Sequence, residues 1–243
     1  MGAAFLWGAI AASSLIIGAL LALWVNLSYR LIGLIMAFGS GALISAVAFD
    51  LVEDATELAT GFGWAAVGLF AGCFVFFGGD WLIDRLGGGD RKNKTGLQST
   101  GSPLAIVLGT VLDGIPESAV IGLTIFQGGE VGFAYLAAVF LSNLPESISS
   151  TTGLVAGGWK RGHVLWMWVG IAAVSALSSL GGFVLFQDAP PDTIAFVLAF
   201  AAGAILTMLA DTMMPEAFEH GGKLVGVVAT VGFAVAYGLH IIA

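Results

Sequence analysis

Apolar runs about as long as a bilayer is thick recur along this chain, and they constrain its fold more than any other feature. Eight can be marked off between polar breaks, near residues 3–24, 31–52, 64–84, 103–127, 131–157, 163–186, 192–219 and 223–243. A run of ~18 or more apolar residues crosses a membrane as a helix, because a helix satisfies every backbone donor and acceptor within its own segment. Composition points the same way: of 243 residues, 58% are hydrophobic and 10% charged, too little polarity for a wet exterior. The 36 glycines would weaken helices in water but let membrane helices approach closely. The expected fold is an all-α polytopic membrane protein, a single transmembrane domain over 1–243 with eight transmembrane helices.

The basic residues give a check on that count. All eight Lys and Arg fall in alternate breaks: Arg30; Arg85, Arg91, Lys92 and Lys94; Lys160 and Arg161; Lys223. The intervening breaks, 54–63, 127–130 and 187–192, hold none. Because Lys and Arg collect on the cytoplasmic side, the pattern predicts a multi-pass protein of the cell (inner) membrane with both termini outside. The longest break, 86–102, is Gly-rich and polar and is expected to be a flexible cytoplasmic loop. Residues 1–10 lack the positive start of a signal peptide, so the first run is expected to be a retained helix. A net charge of −8 with no basic stripe argues against nucleic acid and leaves membrane lipid as the surrounding partner. Cys73 is the single cysteine, which excludes an internal disulfide and any CxxC metal motif.

Two internal echoes organise the segments. Residues 37–57 (AFGSGALISAVAFDLVEDATE) overlay 199–219 (AFAAGAILTMLADTMMPEAFE) at an offset of 162, with seven of 21 positions identical. The same offset sets the first segment on the sixth and the third on the eighth. The second and seventh segments start on opposite sides, so the expectation is an inverted 3+2+3 repeat: segments 1–3 and 6–8 around segments 4–5. Inverted repeats commonly place a substrate site near the membrane midplane. The central pair carries the second echo, DGIPES at 113–118 and SNLPES at 142–147, each in the middle of its segment.

The residue types in these motifs suit a cation. Asp113 and Glu117 lie four apart on one helix face, as do Ser142 and Glu146, with Asn143 three residues before Glu146. An ionised carboxylate at the bilayer centre costs on the order of 3 kcal/mol or more, and no Lys or Arg lies in any helix centre to offset it. A bound cation, protonation or a water-filled cavity remains. Pro116 and Pro145 cannot donate to the carbonyls of Leu112 and Leu141. Each proline therefore frees a carbonyl one turn before its Glu, and hard cations prefer such oxygens.

With paired xxxPE[SG] motifs, eight segments and a long loop after the third, the chain resembles the ZIP family of metal-ion transporters over essentially its whole length. FDLVEDA in the second segment and MMPEAFE in the seventh look like that family's LxPEA-type segments. The resemblance implies triplet repeats around two central helices, a mononuclear or binuclear metal site between them and, in many members, a homodimer. It also implies a divalent metal ion (the zinc, manganese, iron, cadmium or magnesium class) as substrate, with no organic cofactor. Against the family motif HNxPEG, Asp113 stands at the His position and Gly114 at the Asn position, while Ser142 and Asn143 fill the corresponding pair of the fifth segment. The implied site is Asp113, Glu117, Asn143, Glu146 and Ser142, nearly all oxygen. Imidazole suits Zn²⁺ whereas oxygen ligands suit Mn²⁺ or Mg²⁺, so weaker zinc selectivity is expected.

Asp50, Glu53, Asp54 and Glu57 at the outer end of the second segment form a candidate entrance that would concentrate cations. Asp211, Glu216 and His220, with Glu219, form a candidate exit at the inner end of the seventh. His163 and His240 read as interfacial side chains. No P-loop, HExxH or GxSxG is present, so the expectation is transport without catalysis. A carboxylate-lined ion or proton channel is the alternative, and an intramembrane metal-dependent enzyme a more distant one.

Overall fold

The computed structural model describes residues 1–85, 103–128 and 132–242. The expected 86–102 loop lies outside the described residues, and with it Arg91, Lys92 and Lys94. The helices are α1 (Gly2–Trp24), α2 (Tyr29–Ala46), α3 (Glu53–Leu58), α4 (Phe62–Ile83), α5 (Pro103–Gly128), α6 (Phe133–Ala156), α7 (Arg161–Phe186), α8 (Pro191–Met208), α9 (Met214–Gly221) and α10 (Val225–Ile242). A π-helical turn, Val47–Val52, joins α2 to α3, and another, Leu209–Met213, joins α8 to α9. Both turns fall inside the two stretches that overlay at an offset of 162.

The expected eight transmembrane helices in a 3+2+3 arrangement are corrected here. The described residues form seven uninterrupted helical stretches. Six are long and apolar enough to cross a membrane: Gly2–Trp24, Tyr29–Leu58, Gly63–Ile83, Val107–Ile125, Arg161–Phe186 and Pro191–Ile242. Two physical causes separate six from eight. The Phe133–Ala156 helix carries Ser142, Asn143, Glu146, Ser147, Ser149, Ser150, Thr151 and Thr152, which lower its hydropathy below that of a lipid-spanning segment. The polar EHGGK stretch at 219–223, which reads as a loop, is instead helical: a 3₁₀ turn, Gly222–Leu224, carries α9 directly into α10. Gly222 permits this because its φ of 65° lies where a side chain is strained, and its N–H still reaches the Phe218 carbonyl.

The polar α6 helix is protected by position. α1 and α2 both pack along it, and it buries Tyr135, Ser142, Asn143, Ser147, Ser150 and Thr151. α4 packs along α8, α2 along α10, and α5 along α7. Gly68 and Gly72, a GxxxG pair whose spacing suggests helix packing or a dimer contact, pack against α8: a Cβ at Gly72 would run into the Phe200 carbonyl, and one at Gly203 into that of Leu69. Helix association in lipid relies on such close approach, since burying apolar surface gains little there. The exposed side of α4 is lined by Phe70, Phe74, Phe77 and Trp81. Arg85 sets its guanidinium 3.7 Å over the Trp81 ring.

Several hydroxyls donate to carbonyls of their own helix, as an apolar solvent favours. Ser14 donates to the Ala11 carbonyl at 2.6 Å, Thr207 to Gly203 at 2.8 Å and Thr230 to Gly226 at 2.8 Å. Between helices, Trp168 Nε1 donates to Thr151 Oγ1 at 2.8 Å, both side chains fully buried. Thr151→Val keeps the shape but leaves the indole N–H without an acceptor. Its expected cost is ~1–3 kcal/mol, read as earlier thermal unfolding of the detergent-solubilised protein.

Candidate cation site

The two proline-bearing helices hold the candidate ligands. Pro116 lies inside α5 and Pro145 inside α6, and both helices continue through them. Neighbouring helices close around these positions: a Cβ at Gly39 of α2 would stand 2.8 Å from the Leu141 carbonyl, the group freed by Pro145. Glu117 is buried at 1% exposure, Ser142 at 2% and Asn143 at 7%, while Asp113 and Glu146 are half-buried. The carboxylates of Glu146 and Asp113 are both close enough to act on the charge of Glu117. One Glu117 oxygen, Oε2, is buried with no hydrogen-bond partner. Buried polar atoms in native proteins are nearly always paired, so an orphaned carboxylate oxygen calls for a reason. Ser142 donates to the Val139 carbonyl of its own helix at 2.9 Å, which leaves its oxygen lone pairs as acceptors only. Asp113 also borders a narrow crevice with Phe76, Leu112, Pro116, Ile205 and Met208.

Among the described residues, no three His, Cys, Asp or Glu side chains are gathered closely enough to hold a metal ion together. The three carboxylates of the sequence motifs thus share an electrostatic neighbourhood without forming a closed cage.

The candidate path residues separate into two groups. Asp50 sits in the first π turn, half-buried; Glu53 is exposed, Asp54 half-buried and Glu57 exposed. Asp50 Oδ1 lies 2.8 Å from His240 Nδ1 on α10, and Phe49 packs beside Phe233, Tyr237 and His240. Asp211 is exposed in the second π turn, and Glu219 is exposed on α9. Glu216 accepts a hydrogen bond from Ser149 of α6, and His220 packs on Tyr29 with ring centroids 5.6 Å apart. π turns recur at functional sites in helices, and here each contains one candidate path carboxylate.

Four participants escaped the sequence reading. His240 was expected to be interfacial but pairs with Asp50 across 190 residues. Ser149 reaches Glu216, and Ser40 of α2 is fully buried with an unpartnered hydroxyl. Tyr135, 1% exposed, donates from its hydroxyl to the Glu117 carbonyl at 3.3 Å. No local spacing signals the three pairings, since each joins residues on different helices.

Fold and site together define a multi-pass helical membrane protein with acidic side chains buried among its helices. No family model matches the chain. It is similar to a protein of Arabidopsis thaliana described as a "Putative zinc transporter", 24% identical over 222 residues. That alignment covers 90% of this chain but 35% of the plant protein, so the chain spans about a third of its relative's length.

Proposed function

We propose that this protein moves divalent metal cations across the membrane through Asp113, Glu117, Asn143, Glu146 and Ser142, in the ZIP-like manner its motifs imply. The observation that carries the reading is Glu117: a carboxylate fully buried in a helix long and apolar enough to span a membrane, with one oxygen unpartnered and two further carboxylates acting on it. No lysine or arginine occurs anywhere in α5 or α6 to balance that charge. A passing dication would, at least while bound. The Arabidopsis relative's description as a "Putative zinc transporter" supports transport of a metal rather than catalysis on one.

In this reading Asp50, Glu53 and Asp54 form the entrance, and Asp211, Glu216 and His220 the exit. The ZIP resemblance makes the direction inward, and the positive-inside pattern makes the α3 end external. Oxygen-rich ligation makes the site less selective for zinc than an imidazole site. Uptake of Zn²⁺ and Mn²⁺ into proteoliposomes checks this: saturable uptake of both is expected, with Mn²⁺ handled at least as well as Zn²⁺. A strong preference for Zn²⁺ over Mn²⁺ would remove the selectivity argument, and no saturable uptake of any dication would remove the function.

A second reading, an ion or proton channel lined by the same carboxylates, is favoured by one observation: no three-residue metal-holding group occurs among the described residues. It predicts non-saturating conductance without competition between metals.

A further inference from the structure

A groove of about 600 Å³ runs along the outside of the α4–α8 pair, and none of the candidate cation ligands lines it. Its walls include Phe70, Phe74 and Phe77 of α4 and Leu206 of α8, all exposed on helices long and apolar enough to cross a membrane. Sites for small molecules have volumes of ~300–1,000 Å³, apolar walls and a few polar groups. Here the polar side chains are Cys73, Thr207 and Asp211, and no Lys, Arg or His lines the groove. Thr207 donates its hydroxyl proton to the Gly203 carbonyl at 2.8 Å, which leaves its oxygen to accept. Asp211, exposed four residues on, accepts only when ionised. The groove therefore presents negative charge and acceptors, and lacks a positive group for an anion. α4 and α8 run in the same direction, since a Cβ at Gly68 would meet the Phe196 carbonyl and one at Gly72 that of Phe200. Asp211 thus lies at the Phe77 end of the groove, toward Arg85. From Leu69 to Phe77 a helix rises about 12 Å, close to one leaflet's half-share of a ~30 Å hydrocarbon core.

We propose that this groove binds a phospholipid whose headgroup carries a primary amine, with one acyl chain along the phenylalanines and the ammonium on Asp211 and Thr207. The proposal goes beyond the transport reading and does not depend on it. A carboxylate on the outer surface of a membrane helix is costly without a partner. A primary ammonium supplies both the opposite charge and three N–H donors for acceptors that have none. A choline headgroup has the charge but no N–H, and an anionic glycerol headgroup is repelled by Asp211. Under the positive-inside pattern the Arg85 end of α4 is cytoplasmic, so the lipid belongs to the cytoplasmic leaflet. A second copy of the chain fits less well. Pairing about a twofold axis along the membrane normal would set two Asp211 carboxylates at one depth with no counter-charge between them.

Native mass spectrometry of the full chain in detergent tests this without metal. The chain is offered equal amounts of dioleoyl phosphatidylethanolamine, phosphatidylcholine and phosphatidylglycerol, and the lipids that stay bound are counted. One phosphatidylethanolamine per chain is expected, retained roughly tenfold over either competitor, as hydrogen bonds to a charged group would give. Asp211→Asn is expected to erase that preference and Thr207→Val to lower it about threefold, since each removes one acceptor. Thermal unfolding of both variants without added lipid shows whether they are folded. If Asp211→Asn does not fold, Thr207→Val carries the test, and an unchanged preference there overturns the site. Equal retention of the three lipids by the unaltered chain, or a preference that survives Asp211→Asn, also overturns it. So does a high yield of disulfide between two chains through Cys73 on mild oxidation, because a second copy would then fill the groove. Failure of the transport reading shows separately, as absent saturable uptake whatever lipid is bound.

Discussion

Glu117→Gln is expected to abolish metal uptake while leaving the protein at least as stable as the unaltered chain. The two effects have one cause. Glu117 is fully buried, and its Oε2 has no hydrogen-bond partner, so nothing in the protein compensates an ionised carboxyl there. An amide there has no charge to desolvate and nearly matches the carboxyl in volume, so the fold does not depend on the acid. A dication seated there loses the opposite charge that compensates its own desolvation. Losing one partner of a buried charge pair costs ~2–5 kcal/mol, so uptake should fall roughly 100-fold or more. Initial uptake rates in proteoliposomes and thermal unfolding in detergent, measured on the same preparation, read both halves. Uptake within a few fold of the unaltered chain would remove Glu117 from the path.

Gly182→Ala is expected to destabilise the bundle severely, while the same change one residue earlier, Gly181→Ala, is expected to be harmless. A Cβ on Gly182 would run into the backbone carbonyl of Ala119, and one on Gly122 into that of Ser179. The two glycines are thus the reciprocal contact at which α7 crosses α5, the helix that carries Asp113 and Glu117. Backbone carbonyls cannot rotate away as side chains can, so the helices must separate, at roughly 3 kcal/mol or more. At Gly181 nothing lies within 4 Å of the added carbon. There the better helix propensity of alanine is the remaining term, a gain of up to ~1 kcal/mol. Thermal unfolding of the two single variants decides it. Similar melting for both would mean that α5 and α7 do not meet through these glycines.

Much of the architecture was open to reading along one dimension. Apolar runs of bilayer length establish a multi-pass helical protein, because composition over ~20 residues decides whether a segment dissolves in lipid. The same logic failed where local composition and tertiary setting disagree. Phe133–Ala156 is too polar to count as a lipid-spanning segment, yet it is a continuous helix packed along α1 and α2. At 219–223 glycines and charges suggest a loop, but Gly222 supplies a positive φ and the helical run continues. A composition signal does not distinguish a loop from a helix whose polar positions are held by neighbours.

What the sequence determined by itself was the set of chemistries the chain could hold: helices suited to lipid, two Pro-Glu motifs and the carboxylates Asp113, Glu117 and Glu146, with no basic residue beside them. Those follow from residue types and from the three- and four-residue spacing that places side chains on one helix face. The tertiary structure decided which carboxylate is fully enclosed, that Asp50 pairs with His240, that Ser149 reaches Glu216 and that the Tyr135 hydroxyl bonds the Glu117 carbonyl. Helix periodicity determines which residues share a face. It does not determine which face of another helix, up to 190 residues away, will meet it.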